Sequence, residues 1–289
     1  MMKVMNRALP LCLVLLAVAR TLDAAQAQQY VDREMAGDPD VYRIFTLVEP
    51  SDVELYRELL PDVFGMPEKP MLMVMVANYT TYQEASIMMR ATTSDGETAQ
   101  YVVTMPLTHV RPLVVGLKWG LPKYLADMKV DRSGGWVYED GKVKLGLEFT
   151  PTTSKLSALE QEYLSVRGGD LTPNRGLLMV PPTHDGSTAV LRIGGPREVE
   201  LPSREWGMVK IIIDSDDPWA GLIDPGTEVM GLLQMQGSPM GNSGGGGGLL
   251  LQDWKNGTWV TRTDEEFQRE IDQSNAEAEA LKAAATRGR

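Results

Sequence analysis

The constraint that narrows the fold most is a long succession of short apolar segments separated by turn signals, with little helical periodicity between them. The clearest instance is Trp136–Glu139 and Lys142–Phe149, joined by Asp140-Gly141. An Asp-Gly dipeptide between strand-like runs is a strong hairpin signal, because both central positions of the favoured tight turn need positive φ. The same cadence recurs at Val41–Val48, Met71–Ala77, Ala85–Ala91 and Tyr101–Leu107, the last two facing each other across Ser94-Asp95-Gly96. It continues at Leu177–Val180, at Ser187–Ile193 after the Asp185-Gly186 turn, at Val209–Asp214 and within Gly221–Leu233. One early helix is expected over Val53–Leu60, opened by Pro50-Ser51-Asp52 and stopped by Pro61. A second is expected over Glu265–Ala285, opened by the capping box Thr263-x-x-Glu266. There is no regular alternation of strands with helices and no internal repeat. The expectation is therefore an α+β chain whose core is an antiparallel β-sheet or barrel with a few flanking helices.

The N-terminus reads as a targeting segment. Lys3 and Arg7 precede an apolar run, Ala8–Ala19, which is too short to span a bilayer, and Ala25-Gln26-Ala27 follows as a small-x-small cleavage signal. A secretory signal peptide over 1–27, a β-rich domain over 28–262 and a helical tail over 263–289 are the expected divisions. Export to the periplasm or the outside follows, with no transmembrane span left after cleavage. The one cysteine, Cys12, would leave with the signal, so no disulfide and no thiolate nucleophile is expected in the remainder. The net charge of −11 argues against nucleic acid and against anionic membrane surfaces as partners.

The chemistry concentrates in Leu113–Val130, LVVGLKWGLPKYLADMKV. Leu113, Val114 and Val115 read as a strand entering a turn at Gly116, and Pro122-Lys123 reads as the opening of a helix over Lys123–Met128. Either way Lys123 lies among Trp119, Leu121 and Leu125. Desolvation disfavours an ammonium ion, and a neutral amine is what attacks a carbonyl to form a Schiff base.

Gly120, Leu121, Pro122, Lys123, Tyr124, Leu125 and Ala126 resemble the Gly-x-Pro-Lys-Lys-Leu-Ala run that carries the reactive lysine of the acetoacetate decarboxylase family. Tyr82-Gln83-Glu84 is similar to the family's Tyr-x-Glu, whose carboxylate faces that lysine. The helix ending at Pro61, the Lys142–Phe149 strand, Pro173, Leu177–Pro181 and Asp185-Gly186 match in order, so that the resemblance spans roughly Val41–Leu233. It implies a fold of the acetoacetate decarboxylase type, with Lys123 and Glu84 as catalytic residues. It also implies a small keto acid or related carbonyl compound as ligand, bound by Tyr82, Trp119, Leu121 and Tyr124, and no cofactor. Decarboxylation of a β-keto acid through a lysine Schiff base is the implied reaction; relatives also run aldol or dehydration chemistry from the same lysine.

The departures are specific. Tyr124 stands where the family has a second lysine, Leu117-Lys118 replace an Arg-Glu pair, Met71–Ala77 carries no acid where the family has one, and Arg43 is one residue out of register with the family's early arginine. A non-catalytic exported binding protein that keeps the fold is the rival reading. Homo-oligomerisation is left open. His109 and His184 have no second ligand at metal spacing, Met71, Met73, Met75, Met88 and Met89 read as core, and Gly244–Gly248 is not followed by the Lys-Ser/Thr of a phosphate loop. Ser243–Gly248 reads as a flexible loop, and Asp214, Asp216 and Asp217 as a solvated turn.

Overall fold

The computed structural model describes residues 41–79, 81–96, 98–152, 177–179, 191–194, 203–236, 250–255 and 258–287. The expected signal peptide, the Asp185-Gly186 turn, His184 and the glycine-rich stretch Ser243–Gly248 lie outside them. Among the described residues no helix is long and apolar enough to cross a membrane.

Strands β1 (Val41–Val48), β2 (Leu72–Tyr79), β3 (Tyr82–Thr92) and β4 (Thr98–Leu107) form the centre of the fold, with helix α1 (Val53–Leu59) between the first two. The helix α2 (Val110–Lys118) follows, then β5 (Lys123–Leu125), β6 (Asp127–Asp131), β7 (Gly134–Glu139) and β8 (Lys142–Pro151). After β9 (Leu177–Met179), β10 (Leu191–Gly194) and β11 (Ser203–Ile213) come a 3₁₀ turn at Pro218–Leu222, β12 (Glu228–Gln236), β13 (Leu250–Lys255), β14 (Thr258–Thr261) and the helix α3 (Asp264–Arg287). All the described strands join one sheet in the order β14-β13-β10-β9-β4-β3-β2-β1-β12-β11-β8-β7-β6, with β5 added beside β4. The pairs are antiparallel except where β5 and β9 each run parallel to a different part of β4.

The sheet curls so that β6 and β7 return against β2 and β3, making a barrel-like core. Gly135 permits the closest approach: a Cβ there would lie 2.7 Å from Val76. The inside is aliphatic, with Ile44, Val74, Val76 and Ile87 packed against Val137, Leu145 and Leu147. Alternate residues of β1–β3 point the other way, where Phe45, Met73, Met75, Met88, Met105, Trp119, Phe267 and Ile271 form a second buried cluster under α2 and α3.

Local signals explain most boundaries. Asp52 caps α1 by accepting from the Leu55 N–H at 2.9 Å, and the chain is extended at Leu60, before Pro61. The β7–β8 turn takes positive φ at Asp140 (50°) and Gly141 (76°), as a two-residue hairpin requires. At α3 the Thr263 hydroxyl accepts from the Glu266 N–H at 3.2 Å while the Glu266 carboxylate accepts from the Thr263 N–H at 2.8 Å.

Two expectations about the lysine segment are corrected. Leu113–Val115 is not a strand but the middle of α2, whose buried residues Val110, Leu113 and Val114 recur at helical spacing. Lys123–Met128 is not a helix: Lys123–Leu125 is a strand on β4, and Asp127 opens the next one.

Candidate active site

The site is assembled by register. Across the antiparallel ladder Gln234 faces Arg43, Arg43 faces Ala77, Ala77 faces Glu84, and Glu84 faces Leu107. Partners in a ladder share a face, so these five residues make a row across the sheet. Met105, two residues before Leu107 and therefore on the same face, is paired with Lys123 of the parallel strand β5. The lysine and the glutamate, 39 positions apart in the chain, thus meet: Lys123 Nζ donates to Glu84 Oε2 at 3.0 Å. Their side chains are only 8% and 6% exposed.

The backbone that delivers Lys123 ends α2 with a Schellman motif. Gly120, at φ 80°, donates to the Leu117 carbonyl at 3.1 Å, and Leu121 donates to the Gly116 carbonyl at 2.9 Å. Pro122 then forbids further helix, its carbonyl accepts from the Met105 N–H at 3.2 Å, and the chain runs on as β5. Gly116 has a second role. A Cβ there would lie 2.3 Å from Cδ and 2.6 Å from Cε of Lys123. The helix therefore lies directly on the lysine stem, and a Cβ at position 116 would displace that stem.

Of the sequence-predicted residues, Lys123 and Glu84 come together. Tyr82 precedes Glu84 by two positions on the same face and packs against Tyr79, with ring centroids 4.6 Å apart and the planes tilted by 30°. Burial first, and the Glu84 carboxylate second, hold its hydroxyl well above the usual phenol range. Burial pushes the Tyr79 hydroxyl up to about 12, against the pull of the Arg43 guanidinium, which lies 5.3 Å over the Tyr79 ring. Both phenols therefore remain hydrogen-bond donors at neutral pH. Leu121 is buried beside Met105 and Trp119. Trp119 is turned toward α3, stacked on Phe267 at 5.8 Å and donating its indole N–H to Glu270 at 3.2 Å. Tyr124 does not join this face: strand alternation points it away from Lys123, and it is 41% exposed.

Sequence reasoning missed three members. Arg43 lies in the row through its pairing, although its sequence register with the family is one residue off. Gln234 (3% exposed) and Ser86 (0% exposed) are buried polar residues on the same side of the sheet, the second because it follows Glu84 by two. The signal for all three is a polar residue at a buried position of an apolar strand. Among the described residues no group of three or more His, Cys, Asp or Glu side chains is gathered that could hold a metal ion.

The acetoacetate decarboxylase (ADC) family model matches residues 25–198. No curated protein matches the chain. Among solved structures, acetoacetate decarboxylase is similar with a TM-score of 0.50 at 15% identity, covering 72% of this chain and 92% of that one. The enduracididine biosynthesis enzyme MppR complexed with pyruvate gives 0.50 at 12% identity, covering 81% and 94%. MppR complexed with the condensation product of pyruvate and imidazole 4-carboxaldehyde gives 0.51 at 12% identity, covering 81% and 93%. At these identities the structural likeness shows a common fold.

Proposed function

This chain belongs to the acetoacetate decarboxylase family, and on that premise we propose that it is a Schiff-base enzyme acting on a small keto acid, with decarboxylase-like lyase chemistry. Lys123 is the nucleophile and Glu84 the proton carrier. The observation that carries this reading is the 3.0 Å contact between two side chains, each more than nine-tenths buried.

A buried ion pair is a poor device for stability, because desolvation offsets most of its Coulomb attraction. It is a good device for proton transfer. Moving one proton from Nζ to the Glu84 carboxylate turns ammonium and carboxylate into amine and acid, so that neither partner is left as a lone buried charge. The amine then adds to the ketone carbon. The carbinolamine takes a proton from Glu84 and loses water, giving a protonated imine. That cation accepts the electron pair of the breaking carbon–carbon bond as carbon dioxide leaves. Protonation of the resulting enamine carbon and addition of water release the ketone and regenerate the amine. The Tyr82 and Tyr79 hydroxyls, held in their protonated form, are donors for the substrate's oxygen atoms. Since β2 presents Ala77 rather than an acid beside Glu84, Glu84 is the carboxylate on which proton traffic depends.

The neighbour that binds pyruvate and a pyruvate condensation product widens the carbonyl ligands worth testing, since the imine and enamine of aldol chemistry form on the same kind of amine. The test is to incubate the protein with acetoacetate, or with pyruvate, add borohydride, and map the mass adduct. Adduct on Lys123, with carbon dioxide release from acetoacetate that Lys123→Ala abolishes, is the expected result. Ligand binding without an adduct or turnover would show the binding-protein alternative instead.

A further inference from the structure

The helix α3 begins at Asp264, beyond the residues that match the family model, and it is fastened to the lysine segment by a chain of charged contacts. Arg262, just ahead of it, forks between two acids. Its Nε and Nη2 donate to Asp253 at 3.0 and 2.7 Å, and its Nη1 to both oxygens of Glu270 at 2.7 Å. Glu270 also accepts the Trp119 indole N–H at 3.2 Å. Trp119 is the C-cap of α2, four residues before Lys123. Between the two stand only the Schellman turn and Pro122, both stiff. Phe267, Ile271 and Ala278 are buried at helical spacing, and farther along Lys118 pairs with Glu277 at 2.8 Å.

We propose that Glu270 is a positioning residue for Lys123: fixed by Arg262 and holding the Trp119 indole, it sets where the last turn of α2, and with it the Lys123 amine, stands relative to Glu84. The proposal rests on the reading of Lys123 as an amine nucleophile. Its energetic logic is a contrast of magnitudes. The Glu270 side chain is 36% exposed, and partly exposed ion pairs contribute little to stability. Displacement of a reacting atom by about 1 Å, in contrast, costs on the order of 10²-fold in rate. Loss of Glu270 is therefore felt in geometry before it is felt in folding.

The experiment compares full-length wild type, Glu270→Gln, Glu270→Ala, Trp119→Phe and the double variant Glu270→Ala/Trp119→Phe. One readout is the rate of borohydride-trapped adduct at Lys123 with saturating acetoacetate. The other is the pH profile of trace acetylation of Lys123 by acetic anhydride, normalised to the exposed Lys129 in the same digest. Glu270→Ala and Trp119→Phe should each slow trapping about tenfold, and the double variant should be no slower than either, since both break one contact. Glu270→Gln, which keeps an acceptor for the indole, should come back to within about twofold of wild type. The midpoint of the acetylation profile should move in Glu270→Ala and Trp119→Phe and not in Glu270→Gln. An unchanged profile in Glu270→Ala, or additive losses in the double variant, overturns the proposal. If Glu270→Ala does not fold, Trp119→Phe against Glu270→Gln carries the same comparison. Absence of adduct in the wild type would refute the enzymatic reading, and the acetylation profiles would still decide whether Glu270 positions Lys123.

Discussion

Ile44, Val74, Val76, Ala85 and Ile87 face into the barrel; their immediate neighbours Arg43, Met75, Ala77, Glu84 and Ser86 face outward beneath α2 and α3. The two faces come from alternate residues of the same three strands, and both are buried. The inner face is a hydrocarbon core that lowers free energy by excluding water. The outer face buries a charge pair, a guanidinium, a serine and a glutamine, each of which costs desolvation. The outer face also holds the apolar cluster of Phe45, Met73, Met75 and Met88, and this packing together with the inner face offsets the desolvation. The lesson is a division of labour: one face is given to holding the fold together, and the other adds chemistry to its packing at a cost in desolvation.

The sharpest way to break this division is at the pair itself. Lys123→Ala should abolish adduct formation, a loss on the order of 10³-fold or more. Lys123→Met should also destabilise by roughly 3–5 kcal/mol, because it leaves the Glu84 carboxylate buried without a partner. The double variant Lys123→Met/Glu84→Leu should recover that stability while remaining inactive, as apolar replacement of a buried pair is often neutral or favourable. Urea unfolding of the three proteins checks it. A double variant as unstable as Lys123→Met would show that the outer face is part of the structural core after all.

The inner face makes the opposite prediction. Ile87→Ala, at a fully buried position, should cost roughly 2–5 kcal/mol and leave the trapping rate per folded molecule unchanged. A selective loss of trapping at full folding would erase the distinction between the faces. Gly116→Ala tests the boundary between them. A methyl group aimed at the lysine stem should slow trapping by about 10²-fold while destabilising by only about 1–3 kcal/mol. Equal trapping in Gly116→Ala and wild type would show that α2 does not define where the amine stands.

The inner face was also the more legible in the sequence. Short apolar runs and turn dipeptides marked β1, β2, β3, β7 and β8 closely, because strands with much of both faces buried read as apolar runs bounded by turn residues. The lysine segment was misread for a physical reason. Gly120-Leu121-Pro122 admits two readings, a helix opened by proline or a helix closed by glycine, and only the hydrogen bonds of the Schellman turn choose between them. Gly116 was read as a turn because its real purpose, to let α2 lie on the stem of Lys123, belongs to tertiary packing. The pairing of Lys123 with Glu84 was legible through the family motif and not through spacing. Arg43 and Gln234 required the pairing of β1 with β12, strands nearly 200 positions apart. Glu270 and Arg262 lay in a stretch whose capping box was plain and whose docking was not.

The smallest predicted effect separates the faces by their response to acid. His109 is the N-cap residue of α2 and makes no side-chain capping bond. Burial first, and the nearby Lys282 ammonium second, hold its pKa below the ordinary histidine value, against a smaller upward pull from a Thr108 backbone hydrogen bond. The folded protein therefore binds fewer protons here than the unfolded chain does, in the window between the depressed folded value and the ordinary one near about 6.5. Stability must fall as pH drops through that window. His109→Gln removes the titrating group and should flatten the decline, so the difference in urea midpoint between wild type and His109→Gln should narrow as the pH is lowered from about 7.5 to about 5. Lys282→Met, which removes the repelling charge, should flatten it by less. Ile87→Val on the inner face should shift the whole curve without changing its slope, since it removes a methylene and no proton. A His109→Gln curve parallel to wild type would mean that the outer layer contributes nothing to acid sensitivity, and that its polar groups are as indifferent to pH as the hydrocarbon beneath them.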